Sequence, residues 1–104
     1  MSTSLEQLNA QVFREQLHTN FNVRSEAEAV QLKLAAVEEK DRQGIELFVL
    51  HFVGPFTPRL EQKTHKLEHE KLGEFEIFIT PISAEPQQGT TYESIFHRFR
   101  KQPS

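Results

Sequence analysis

Hydrophobic and polar residues alternate along most of this chain, and the alternation is cleanest between residues 64 and 82. Phe75, Ile77 and Ile79 recur at period two, which puts them on one face of a β-strand. The opposite face starts polar at Glu74 and Glu76 and turns apolar at Phe78 and Ile82, as expected where one end is covered by other chain. Pro81 suits a strand end or an edge, because it cannot donate to a ladder. Upstream, Phe21 and Val23 alternate with Asn20, Asn22 and Arg24, and Val30, Leu32 and Leu34 alternate with Gln31 and Lys33. Residues 25–28 read as a turn between these two strands. The polar run Asp41-Arg42-Gln43-Gly44 is a second turn signal.

Residues 45–53, IELFVLHFV, are almost continuously apolar. Such a run predicts a central strand covered on both faces. Gly54-Pro55-Phe56-Thr57-Pro58 stops it, and a polar loop at residues 83–90 holds Pro86 and Gly89. Near the start, Ser4 with Gln7 three residues on has the form of a capping box. Leu5, Leu8, Val12, Phe13 and Leu17 follow at helical intervals, so an N-terminal helix or two short helical turns should plug one end or face of a sheet.

Local pattern leaves two segments open. Residues 59–72 are rich in helix formers and end at Gly73, a good helix cap, yet the apolar face would be thin. As a strand, the same segment puts His65, Leu67 and His69 on one face and Lys66, Glu68 and Glu70 in water. Residues 92–99 fit a helix through Tyr92, Ile95, Phe96 and Phe99, but Thr-Thr-Tyr and Ile-Phe also suit a strand.

With 104 residues there is one domain: a helical segment 4–18, a β domain 20–99 and a frayed tail 101–104. Nine Phe against one Tyr and no Trp predict a phenylalanine core. A net charge of -3 argues against a general electrostatic grip on nucleic acid. No apolar run approaches the roughly 20 residues that span a bilayer, and residues 1–10 lack the pattern of a signal peptide. The expectation is a soluble chain, cytoplasmic by default. With no Cys, a disulfide framework and thiol chemistry are excluded.

Three histidines are the candidates for chemistry. His65-Lys66-Leu67-Glu68-His69 spells H-x-x-E-H, the inverted zinc-protease signature. That chemistry needs a helix, where residues four apart share a face. On a strand, the two histidine Cα atoms lie about 13 Å apart, at roughly 3.3 Å per residue. Zinc bonds of about 2.0–2.1 Å could not join them directly. His51, the one polar residue in an apolar strand, reads as a buried, hydrogen-bonded core histidine. His97-Arg98-Phe99-Arg100-Lys101 is basic and aromatic, but short for a nucleic-acid site in an acidic domain. No phosphate-cradling glycine loop or G-x-S-x-G is present.

From Phe48 onward, F-V-L-H-F-V-G-P, Leu67-Glu68-His69, Leu72-Gly73, Phe75 to Ile79, Pro81-Ile82 and Tyr92-Glu93-x-Ile95-Phe96 resemble a family of small bacterial β-rich domains of unknown function. The resemblance covers roughly residues 45–97 and implies that 64–69 and 92–96 are strands. It carries no assigned activity and no catalytic residues. Some such domains are encoded beside phage-tail-collar-like proteins, which implies a role in assembly or attachment, and incorporation into a phage-like particle is one form of it. Near the start, residues 9–19 are longer than the pattern, so the resemblance does not extend to the helix.

Together these readings predict a mainly β fold, a curled antiparallel sheet or small barrel of about five to six strands with an N-terminal helix. The strands are 20–24, 29–38, 45–53, 64–69, 74–83 and 90–98, and a hairpin pairs the 67–79 region across a turn at 70–73. The inward sets of these strands, with Leu8, Leu47, Val49, Tyr92 and Phe96, make the expected core. The leading functional expectation is a non-catalytic interaction or structural module, not an enzyme, with no cofactor and no membrane. Its partner is an unidentified protein or another copy of itself. The alternative is a small-ligand or metal-binding barrel that uses His51, His65 and His69.

Overall fold

In the computed structural model, residues 9–24, 29–42 and 45–99 are described. They form one short helix, α1 (Ala10–Arg14), and six strands: β1 (Asn20–Arg24), β2 (Ala29–Arg42), β3 (Ile45–Gly54), β4 (Lys63–His69), β5 (Gly73–Glu85) and β6 (Gly89–Phe99). All neighbours are antiparallel, and the sheet curls into a closed ring in the order β1-β2-β3-β6-β5-β4. The short ladder of Asn22, Val23 and Arg24 with Glu68, Leu67 and Lys66 closes it. Within the two open segments, residues 63–69 and 92–99 are strand, while 59–62 and 70–72 are loop and turn. The 70–73 turn joins β4 to β5 with Leu67 opposite Phe75 and His69 opposite Gly73.

Period-two alternation sets the inside of the barrel. Phe21, Val23, Leu32, Leu34, Phe48, Leu50, Phe52, Leu67, Ile77, Ile79 and Tyr92 are buried there. Two bulges adjust the phase. The first falls between Leu34 and Ala36, so that Val37 pairs with inward Leu50. The second lies between Pro81 and Ser83, where Ile82 is the extra residue. The strand β2 runs on to Arg42, four residues past its expected end at 38, because β3 pairs with it along that whole length.

The helix falls inside the expected 4–18 segment but is shorter. Asn9 caps it, its side chain accepting the Val12 N–H at 2.9 Å. The chain leaves helical geometry at His18, which has a φ of 69 and donates its N–H to the Leu34 carbonyl. The Leu34 N–H in turn reaches the Thr19 carbonyl, so pairing with β2 takes over where the helix ends. The Ser4–Gln7 capping box and Leu8, the 25–28 turn, Gln43-Gly44 and the tail 101–104 lie outside the described residues.

Phe13 is fully buried and holds the helix to the barrel. Its ring centroid lies 6.4, 6.0, 5.9 and 5.7 Å from those of Phe21, Phe48, Phe75 and Phe96. Phe48 and Phe96 stack at 4.8 Å. Phe13, Phe21, Phe48, Phe52, Phe75 and Phe96 thus make one aromatic cluster under the helix. Leu60, in the loop before β4, is also buried, and its N–H donates to the Tyr92 hydroxyl at 2.9 Å.

The central-strand reading of β3 needs one correction. It has neighbours on both sides, yet Leu47 and Val49 are half-buried on the outer surface instead of lying in the core. No second layer covers that face among the described residues, so continuous apolarity here reflects an outer surface only partly hidden.

Candidate functional site

The three candidate histidines do not converge. His51 faces outward from β3, half-buried, with its Nε2 at 2.9 Å from Glu38 Oε1. This corrects the expectation of a core histidine: in β3 the inward set is Phe48, Leu50 and Phe52, and His51 falls between them on the other face. His65 and His69 are the buried pair, flanking Leu67 on the inner face of β4.

Each buried histidine serves the local backbone. The His65 Nε2 lies 2.7 Å from the Glu61 carbonyl, to which it donates, tying β4 to the loop that precedes it. The His69 Nδ1 accepts the N–H groups of Lys71 (3.0 Å) and Leu72 (3.2 Å), fixing the β4–β5 turn. Its Nε2 must then carry the proton and donate to Thr19 Oγ1 at 2.9 Å. The Thr19 hydroxyl passes the chain on to the Gln16 carbonyl at 2.6 Å. The ring rests 4.3 Å from Phe21, and burial is the largest influence lowering its pKa, with Glu70 opposing and Lys71 assisting. Its one lone pair is thus engaged by two N–H groups, which suits a structural clasp better than a ligand. No group of three or more His, Asp or Glu side chains able to hold a metal ion occurs among the described residues.

The feature that stands out lies in the barrel wall. From residue 73 to 79, β5 pairs with β4, and from 80 to 85 it pairs with β6. Continuing the β5–β6 register would set Phe78 beside Ile95 and Ile77 beside Phe96, but the ladder stops at Thr80 and Glu93. A seam therefore runs between residues 74–79 of β5 and 94–99 of β6. A groove of about 430 Å³ follows it, lined by Thr64, Glu76, Ile77, Phe78, Ser94, Ile95 and Phe96. Strand N–H and C=O groups alternate in direction, so half of those on 74–79 aim across the seam.

The lips of the seam are apolar. Phe78 and Ile95 are 50 and 54% exposed there, and Ile82, 55% exposed, lies past its closed end at the bulge. Val49 lies beside Ile95 in the β3–β6 ladder and continues the stripe outward. Phe13 forms the floor, since its ring touches Phe75 on one side of the seam and Phe96 on the other. The alternation showed that Phe78 and Ile82 break the polar outer face of β5, but it suggested cover by other chain. The open ladder itself depends on where β5 changes partner, which no local pattern records.

The fold thus defines the class: a small six-stranded β ring with one short helix and a seam in its wall. The chain belongs to the family described as Domain of unknown function (DUF6916), which matches residues 8–96. The match takes in α1, β1 and β2 as well as the later strands, a longer span than the motif resemblance from Phe48 onward. No curated protein and no solved structure matches the chain. No helix among the described residues is long and apolar enough to cross a membrane.

Proposed function

We propose that this domain is a non-catalytic interaction module that docks a protein partner along the β5–β6 seam, within a multiprotein assembly. The observation that carries the reading is the exposed pair Phe78 and Ile95 beside a stretch of unpaired ladder. Each feature alone is ordinary, since scattered apolar side chains occur on any surface. Together they present main-chain hydrogen-bonding groups and apolar side chains along one line, as strand-adding recognition requires. The resemblance to domains encoded beside phage-tail-collar-like proteins is in keeping with an assembly role.

Comparative capture from the native cells tests this. The tagged wild-type chain and the double variant F78S/I95S are used as bait in parallel, with far-UV circular dichroism verifying that both are folded. The expected result is a protein retained by the first and lost from the second. An identical set of captured proteins on both baits removes the seam from consideration.

A further inference from the structure

Resting on that reading, we infer that the seam accepts an extended segment of a different protein, which adds to β5 as a strand. Its outward face carries an aliphatic residue beside Phe78, with lysine or arginine two positions away beside Glu76.

The open ladder selects the conformation of the occupant. Residues 74–79 of β5 are paired to β4 on one side only, and at about 3.3 Å per residue they offer roughly 20 Å of edge. Another extended chain satisfies such an edge bond for bond. A helix would leave its N–H and C=O groups without partners.

The side chains select the composition. An added strand would place one outward residue beside Phe78, within reach of Ile95 across the seam, and an aliphatic side chain suits that position. Glu76 stands two residues before Phe78 on the same face, and Glu93 faces Thr80 two residues after it. The other outward carboxylates nearby are engaged: Glu38 with His51, Glu68 with Arg24 and Glu74 with Lys66. Neither Glu76 nor Glu93 makes an ion pair or hydrogen bond with any described residue. Glu93 sits at the closed end, already laddered to Thr80, so along the open edge an added strand meets Glu76, about 7 Å from the apolar position at strand rise. A partner with a cation two residues from its aliphatic side chain reaches the Glu76 carboxylate, which sets register as well as charge.

The same charges disfavour a second copy. Antiparallel pairing of this edge with itself about Glu76 sets two Glu76 carboxylates opposite each other, and pairing about Ile77 sets each against Phe78. The chain as a whole carries a net charge of -3, which adds repulsion between copies.

Selection from a random twelve-residue peptide display library on the full chain is the test. The enriched sequences should show period-two alternation with Lys or Arg two positions from an aliphatic residue, on one side of it. For a synthetic peptide of that pattern, N-methylation at alternate residues of one edge should weaken binding at least tenfold, because it removes the ladder donors. Changing Glu76→Gln should weaken it about threefold at low salt and less at high salt. Acidic sequences, sequences with helical three- and four-residue spacing, no enrichment at all, or indifference to N-methylation would each overturn the inference. So would sedimentation showing that the wild type dimerises while F78S/I95S does not, which would assign the seam to a second copy. The two readings separate cleanly. Partner loss from F78S/I95S with acidic or helical selected peptides keeps the docking site and rejects the basic strand, whereas unchanged partners reject both.

Discussion

Acid should weaken this fold through His69 before carboxylates begin to titrate. In the folded chain the His69 Nδ1 accepts two backbone N–H groups, from Lys71 and Leu72, and its Nε2 proton is given to Thr19. A proton added at Nδ1 would face those two donors, beside the Phe21 ring, and burial lowers the pKa accordingly. The unfolded chain has an ordinary histidine of pKa about 6.5. Below that value the unfolded state therefore binds more protons, and stability falls as pH falls until the folded ring is itself protonated. Above it the contribution is complete and flat. The slope attributable to this one group cannot exceed about 1.4 kcal/mol per pH unit. Glu74, whose pKa is lowered first by its hydrogen bond from Lys66, contributes stability that is lost only in the more acid carboxylate range. Urea midpoints followed by circular dichroism between pH 5.5 and 8 measure the effect. His69→Asn keeps an acceptor for Lys71 and Leu72 but cannot titrate. It should lose about 1 kcal/mol at pH 8, for the missing bond to Thr19, while flattening the acid slope. An unaltered slope in that variant, or a ring titrating above 6.5 by NMR, refutes the account.

Three further changes probe the core and turns by the same urea assay. Phe13→Ala should cost about 3–5 kcal/mol, since it empties the centre of the aromatic cluster, and α1 amides should gain exchange more than those of β3. Tyr92→Phe should cost about 1–3 kcal/mol by leaving the buried Leu60 N–H without its acceptor. Gly89→Ala should cost about 1–3 kcal/mol, because φ is 93 there and a Cβ would lie 2.2 Å from the Gly54 carbonyl oxygen. A loss below 0.5 kcal/mol in any of them counts against the contact named.

Six strands were legible because a curled sheet with one buried face writes itself as alternation, and here Phe21, Leu32, Leu34, Phe75 and Ile77 obey it. The strand assignments of 64–69 and 92–96 needed the family resemblance, since Leu, Glu and Lys favour helix locally and only the neighbouring strands override them. His51 was misplaced for a related reason. In a fully apolar run either parity can be the inside, and choosing needs knowledge of which face lacks a second layer. Bulges were invisible too: nothing in Ala35-Ala36 announces that the phase shifts so that Val37 meets Leu50. Phe13 was visible as part of a helical stripe, but not its burial against rings from four strands. The seam was least legible of all, because it is a property of pairing and not of any one strand.

That pairing property separates stability from docking. β5 leaves β4 for β6 at Ile79 and Thr80, so the two strands diverge below that point and the wall alone cannot seal the interior. Phe13 fills the gap from inside, touching Phe75 and Phe96 on either bank, so the core stays closed although the ladder is open. The outer lips then have little to hold: Phe78 and Ile95 are half in water. Their loss should cost the fold about 1 kcal/mol or less apiece, against several for Phe13. A chain can therefore keep its barrel while varying Glu76, Phe78, Glu93 and Ile95, and that independence is what lets F78S/I95S report on binding without the confusion of unfolding.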